Sequence, residues 1–158
     1  MKFISFFHWC ENSVVGDSIR SSSWLFPGIE VIHLLGLAVI GGVVLIVNMR
    51  MLGLGLRHQP VAELARDTKP WLLVSLTVML VSGFLLFMSE AVKCYYSSAF
   101  WVKMVSLALA ILFTFTVHRK VALADPGSMS PAWGKVVATI SMILWSGVGI
   151  GGRWIGFQ

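Results

Sequence analysis

The hydrophobic and polar positions of this chain are segregated into four long apolar runs separated by short polar segments. The runs cover residues 27–49, 71–88, 99–117 and 136–152, and none contains more than two ionisable side chains. A helix needs roughly 20 mostly apolar residues to cross the hydrocarbon core of a bilayer. Each run is therefore predicted to form a transmembrane helix.

Polar and helix-breaking segments between the runs predict where these helices begin and end. The breaks are residues 57–60, 69–71, 95–98 and 124–128, which predict approximate helices over 27–56, 70–92, 98–121 and 132–156. The runs lack the alternation of a membrane β-barrel, and backbone polar groups in lipid must be satisfied inside helices. The predicted fold is all-α, an up-down bundle of four transmembrane helices in which short connections make sequence neighbours pack antiparallel.

Residues 1–26 precede this transmembrane domain of residues 27–158 and have a different character. Aromatic side chains such as Phe6, Phe7 and Trp9 lie close to Lys2 and Glu11, which is typical of a short helix lying in the membrane interface. We expect an amphipathic segment on the outer surface. Since no small-x-small cleavage pattern follows it, we expect this segment to be retained.

Composition supports a lipid-embedded chain and excludes several classes of function. With 57% hydrophobic and 12% charged residues, the 158-residue chain has too few polar side chains to cover a water-soluble globule. The net charge of +5 comes without a basic run, so we expect the lipid bilayer as partner and no nucleic acid. Phosphate-loop, nucleophile-elbow and zincin motifs are absent, which favours a non-enzymatic role.

Basic residues predict the orientation in the membrane. Segment ends assign seven Lys and Arg residues to the first and third loops and five to the other end. The seven are Arg50, Arg57, Arg66, Lys69, Arg119, Lys120 and Lys135, and the five are Lys2, Arg20, Lys93, Lys103 and Arg153. The positive-inside bias places the first and third loops in the cytoplasm and both termini outside.

Ionisable residues within the apolar runs are the main functional clue. Glu30 and His33 are three residues apart, so they share a helical face. Because the helices alternate in direction, Glu90, Lys103 and Arg153 are predicted to return to the same outer level. These residues are either interfacial groups that snorkel to lipid headgroups or the lining of an outward-opening polar pocket.

His33 is the strongest candidate ligand for a cofactor. A haem b on His33 could take Met88 or Met104 as its second axial ligand, since both lie at a similar depth, while Lys103 and Arg153 would neutralise its propionates. A copper-type metal held by Glu30 and His33 is the alternative. A di-iron site is not expected, because it needs two Glu-x-x-His motifs and this chain has one.

His118 and Arg50 are predicted at the opposite end of the bundle. Helix geometry separates His33 and His118 by roughly 19 Å in depth, so they cannot share one metal. We expect His118 to be a solvated helix-end histidine near terminal carbonyls. Cys10 and Cys94 both fall on the outer side, where an oxidising periplasm would allow a disulfide between them.

Several stretches together resemble a family of small bacterial four-helix membrane proteins of unknown function. They are residues 24–37, Asn48-Met-Arg-Met-Leu-Gly53, Pro70-Trp71, Phe100-Trp-Val-Lys-Met104 and Gly152-Arg-Trp-Ile-Gly156. The resemblance implies a bacterial inner-membrane protein and selects Glu30, His33, Arg50, Lys103, His118, Trp145 and Arg153. The family usually has Asp where this chain has Asn48. More weakly, the chain is similar to copper-resistance D and cytochrome b561-like membrane proteins, which implies haem or copper handling.

Two functional hypotheses follow. The first is a small redox or cofactor-binding protein of the inner membrane that binds haem b or a metal at His33. The second is a non-catalytic accessory subunit or a small transporter that uses Glu30, Glu90 and Arg153 as an ion-pair lock or a proton path. Small residues at helical spacing, such as Gly147 and Gly151, would allow a homo-oligomer or a larger membrane complex.

Overall fold

The computed structural model describes residues 2–55, 58–124 and 130–155, and this part of the chain contains helices and no strands. The order is α1 Lys2–Glu11, α2 Val14–Ser21, α3 Leu25–Leu52, α4 Val61–Ser89, α5 Ala91–Tyr96, α6 Ser98–Phe113, a π-helix Thr114–His118, α7 Arg119–Ala122 and α8 Pro131–Ile155. Three features used above, Arg57, the break at 125–128 and Gly156, lie outside the described residues.

Four continuous helical segments are long and apolar enough to cross a membrane. They are α3, α4, residues 98–122 and α8. The prediction of an all-α four-helix bundle is therefore confirmed, and the chain is a multi-pass membrane protein. The N-terminal segment forms two short helices, α1 and α2, where one had been predicted.

Local sequence explains most of the helix ends. α3 ends at Gly53, whose φ of 81° lies in the left-handed region that glycine adopts without strain. The N–H of Leu54 then donates to the carbonyl of Met49, which completes a Schellman cap. α6 begins after Ser97, whose hydroxyl accepts from the N–H of Phe100. α4 differs from the prediction, since it begins at Val61 and continues through Pro70.

Three of the four sides of the bundle are sealed by helix packing. α3 packs against α4 and α8, and α8 packs against α6. The core between them contains Ile40 and Val44 of α3, Met79 of α4, and Trp145 and Val148 of α8. The predicted antiparallel packing of sequence neighbours is correct for α3 with α4 and for α6 with α8. It is wrong for α4 and α6, which do not pack along their length.

We call this fourth side, between α4 and the segment α6–π-helix, the open side. Its ends are closed by other means. Where α1, α2 and α5 gather, the ring of Phe7 from α1 packs against Phe87, Tyr95 and Trp101 at centroid distances of 5.6, 5.0 and 6.4 Å. Phe87 also stacks on Phe100 at 5.6 Å. The opposite end of the bundle carries the loops 53–60 and 123–130, and we call it the basic end. There α7 packs on α4.

Candidate functional site

His33 of α3 is buried against α4. Its Nδ1 lies 2.9 Å from the hydroxyl of Ser82, and that hydroxyl lies 2.5 Å from the carbonyl oxygen of Val78. A Cβ on Gly83 would stand only 3.1 Å from Cε1 of His33, so the missing side chain makes room for the imidazole. The contact between Nδ1 and the Ser82 hydroxyl holds the imidazole of His33 against α4.

Lys103 of α6 lies near this histidine. Its side chain crosses Gly151 and Gly152 of α8, and a Cβ on Gly152 would be 3.4 Å from Nζ. The ammonium is close enough to act electrostatically on His33 and on Cys94. None of the ion pairs in the described part of the chain includes Lys103. The structure thus brings two of the predicted site residues, His33 and Lys103, into one neighbourhood.

The other predicted members of the outer cluster point elsewhere. Glu30 is exposed, and Arg153 is exposed beside a shallow groove with Trp154. Glu90 pairs with Lys93 of α5 at 3.8 Å. The five ionisable groups therefore do not converge in one pocket.

The predicted haem and metal ligands are also scattered. Met104 is 43% exposed on the outer face of α6. Met88 is half-buried, and its carbonyl oxygen faces Gly16 of α2. Within residues 2–55, 58–124 and 130–155, no group of three His, Cys, Asp or Glu side chains could hold a metal ion.

Cys10 and Cys94 are buried free thiols on α1 and α5, two helices that pack against each other. Burial, together with the nearby carboxylate of Glu90, raises the pKa of the Cys94 thiol to about 11. The thiols are thus held in their protonated, less reactive form. The disulfide between them stays a prediction.

A second polar cluster lies in the half of the bundle near the basic end. Nε2–H of His118 donates to Oδ1 of Asn48 at 2.8 Å, and Nδ2 of Asn48 donates to the hydroxyl of Ser141 at 3.1 Å. Nearby, Nε1–H of Trp145 donates to the hydroxyl of Thr114 at 3.1 Å. The two sets of bonds link α3, the π-helix and α8.

The interpretation of His118 as a solvated helix-end residue was wrong, because the structure buries it among three helices. The helix does not end at His118 but continues through α7. Sequence reasoning did not assign a role to Asn48, Ser141 or Thr114 in this cluster. Their signal was available, since a polar side chain within an apolar run must find a partner in the bilayer.

The π-helix positions both polar groups that this segment contributes. Thr114 and His118 are its first and last residues and are buried, while Thr116 between them is exposed. A π-turn holds one residue more than an α-turn, and such turns are frequent at functional sites. Thr114 and His118, four positions apart on this turn, both face the bundle.

A cavity of about 240 Å³ opens beside this cluster on the open side, and we call it the basic cavity. Its walls are mostly apolar and come from α3, α4 and the π-helix. The lining contains Val43, Val44, Val47, Ala65, Leu72, Phe115, Ala122 and Leu123, the polar Thr68, Thr114, His118 and Ser141, and the cations Arg66, Lys69 and Arg119. Arg50 is not part of this lining and donates from Nε to the carbonyl of Gln59 at 2.6 Å.

Comparison with known proteins adds a family but no activity. No curated protein and no solved structure matches the chain. The weaker likeness to copper-resistance D and cytochrome b561-like proteins is not confirmed by these comparisons, whereas the expected membership of an uncharacterised family is. The chain belongs to the family of unknown function DUF6644, which matches residues 6–158.

Proposed function

We propose that this protein binds a small, largely apolar ligand within the membrane and that the basic cavity is the binding site. The observation that carries the proposal is the open side. Because α4 and α6 do not pack along their length, a cavity beside His118 faces the bilayer. A ligand dissolved in lipid can reach it without passing through water.

The size and lining of the cavity support a ligand with one polar group. The volume of the cavity, about 240 Å³, is several times the roughly 30 Å³ that one water molecule occupies. Helices of membrane proteins otherwise pack closely. It is slightly smaller than the range of roughly 300–1,000 Å³ that drug-sized ligands need. Apolar walls favour an aliphatic or flat apolar body, and Arg66, Lys69 and Arg119 offer hydrogen-bonding groups to its polar end.

This role is non-catalytic. The buried polar groups of the site are already paired with one another, through His118 with Asn48 and through Thr114 with Trp145. That arrangement supports holding a ligand and carrying it to a partner, as in the accessory-subunit or small-transporter hypothesis. The ion-pair lock of Glu30, Glu90 and Arg153 has no support, because Glu90 pairs with Lys93 and the other two are exposed.

Filling the cavity tests the proposal. Val43 lines the cavity, so the Val43→Phe variant should lose the ligand that co-purifies with the wild-type protein in mild detergent, as measured by mass spectrometry of the extracted small molecules. Val39 lies one helical turn away and is exposed, so Val39→Phe is the matched control and should keep the ligand. Equal ligand content in all three proteins, or none in any, would contradict the proposal.

A haem- or metal-binding redox role at His33 is the second proposal. It is supported by the Ser82 contact, which orients the imidazole as second-sphere partners do for metal-ligating histidines, and by the positive charge of Lys103 nearby. The residues present fit a haem incompletely, because Met104 faces outward from α6 and does not lie beside His33 within a single chain. A Soret band or bound metal that disappears in His33→Ala would establish this role, and a colourless, metal-free wild type would end it.

We further propose that the protein resides in a bacterial inner membrane with its basic end in the cytoplasm and both termini outside. The support is the excess of Lys and Arg in the first and third loops, seven against five. A homo-oligomer or a larger membrane complex is compatible with the exposed apolar faces of the four long helices. Lipid alone would also cover them.

A further inference from the structure

Resting on the proposed ligand-binding function, we infer that the ligand of the basic cavity is an anionic phospholipid. Its phosphate binds between Arg66 and Lys69 of α4 and Arg119 of α7, and one acyl chain enters the apolar part of the cavity. The charge, the shape and the position of the cavity in the bundle all favour this class of ligand.

Charge is the first argument. Arg66, Lys69 and Arg119 line one cavity, yet they come from two helices that are separate in sequence. No carboxylate is found in the described lining, and none of the ion pairs in the described ranges includes these three cations. All three are exposed at the edge of the cavity, where one anion at the membrane interface can pair with them. Arginine matches phosphate with two parallel hydrogen bonds, and basic pockets between transmembrane helices bind lipid headgroups.

Shape is the second argument. The wall beyond the cations is formed by aliphatic and aromatic groups, among them Val43, Leu72 and Phe115. A free phosphate would gain nothing from such a wall. A volume of about 240 Å³ suits part of one chain better than a whole two-chain lipid, whose second chain can remain in the bilayer on the open side.

Position is the third argument. Arg66 and Leu72 are six residues apart on α4, which places them about 9 Å apart along the helix axis. The cations lie toward the basic end and the apolar wall lies toward the middle of the bundle. A lipid in its normal orientation, with its phosphate at the interface and its chain toward the bilayer centre, therefore enters without turning over.

The experiment uses the full chain in detergent and measures apparent Kd values by native mass spectrometry for three probes. These are phosphatidylglycerol, phosphatidylcholine with the same chains, and oleate. We expect phosphatidylglycerol to bind about tenfold more tightly than phosphatidylcholine and the difference to shrink at high salt. Oleate binding more tightly than phosphatidylglycerol would overturn the phosphate assignment in favour of a carboxylate.

Charge-removing variants locate the headgroup. Arg66→Gln and Arg119→Gln should each weaken phosphatidylglycerol binding about fivefold and phosphatidylcholine binding less, because the choline ammonium offsets the charge of its phosphate. Arg66→Lys keeps the charge and should retain most of the affinity, which separates loss of charge from misfolding. Lys120 follows Arg119 but does not line the cavity, so Lys120→Gln is the control and should bind like the wild type.

The cavity-filling variant separates failure of this inference from failure of the proposed function. If Val43→Phe abolishes binding of both phospholipids but neither Arg66→Gln nor Arg119→Gln changes the preference between them, the cavity is a ligand site without selection for anions. In that case the present inference fails and the proposed function stands. If Val43→Phe leaves every Kd unchanged, both fail.

Discussion

At the scale of single residues, the interior of this bundle depends on a few buried polar side chains that satisfy one another. Asn48 is completely buried and holds the central position, because it accepts from His118 and donates to Ser141. In hydrocarbon no water can replace a lost partner. The amide therefore connects three transmembrane segments through two directional contacts.

Asn48→Ala removes both contacts and leaves Nε2–H of His118 without its acceptor. We expect a loss of about 1–2 kcal/mol in the free energy of unfolding, since hydrogen bonds between membrane helices contribute modestly and an unsatisfied donor adds a penalty. Thermal or denaturant unfolding in detergent measures it. Thr139→Ala is the control, because that exposed hydroxyl only bonds back to Lys135 of its own helix and should change little.

Residue types identified some of the polar sites in advance but not their partners. His33 and Lys103 could be selected because an ionisable side chain in an apolar run is rare. Ser82 and Gly83 could not, because small residues in such a run are equally typical of ordinary helix packing. His118 was misplaced for a different reason: near the end of a helix predicted over 98–121 it was expected to reach solvent, whereas in the structure the imidazole faces inward and bonds to Asn48.

At the scale of elements, the two N-terminal helices are part of the bundle. α2 approaches α4 so closely that a Cβ on Gly16 would lie 2.5 Å from the carbonyl oxygen of Met88. Backbone atoms cannot yield as a flexible side chain would. Glycine at this position therefore determines how near α2 can lie to α4, and with it how α1 covers α5.

Gly16→Ala should push α2 away from α4 and expose the buried thiols of Cys10 and Cys94. We expect at least about a tenfold faster reaction with a maleimide at neutral pH, because burial no longer raises the pKa of Cys94. Gly28→Ala is the matched control, since a Cβ there meets nothing within 4 Å. Equal labelling of the wild type and both variants would show that the close approach of α2 does not protect the thiols.

The π-helix gives a second prediction at this scale. Deleting the exposed Thr116 should convert the π-turn into an α-turn and leave His118 facing Asn48, so stability should change by about 1 kcal/mol or less. Deleting Leu109, which is exposed in the regular part of the same segment, should rotate everything after it by about 100° and separate the two side chains. Unfolding curves of the two deletion variants test this, and equal damage from both would contradict it.

Element boundaries were predicted unevenly. α6 begins at Ser98, as predicted, after its cap Ser97, whereas α3 ends at Leu52, before the predicted end at 56. Pro70 was taken as the start of the next helix, because residues 69–71 were interpreted as a break between helices. In the structure α4 starts at Val61 and includes that proline, and its first turns pack under α7 and line the basic cavity through Ala65 and Arg66. The sequence around Pro70 carries no local sign of this tertiary packing.

At the scale of the whole molecule, hydropathy predicted four transmembrane helices and their antiparallel order, because the bilayer imposes that length and composition. It could not predict that the side between α4 and α6 would remain open. Connection length implies adjacency only where no other element intervenes, and here the short helix α5 intervenes between α4 and α6. The candidate cavity lies on that unpredicted side.

Orientation is the prediction that concerns the molecule as a unit. In a background with Cys10 and Cys94 replaced by Ser, we expect a cysteine at the exposed position of Ser23 to react with a membrane-impermeant maleimide on intact cells. A cysteine at His58, exposed in the first loop, should react only after permeabilisation. The opposite pattern would place the basic end outside and show that an excess of seven over five is too small to set topology.

The open side also has a mechanical consequence. With three sides sealed, the bundle consists of two helix pairs, α3 with α4 and α6 with α8, joined along a single seam between α3 and α8. We expect such a seam to act as a hinge. Spreading the pairs would disturb the rings around Phe7 at one end and the contact of α7 with α4 at the other, while the packing inside each pair is kept. The motion would widen the cavity.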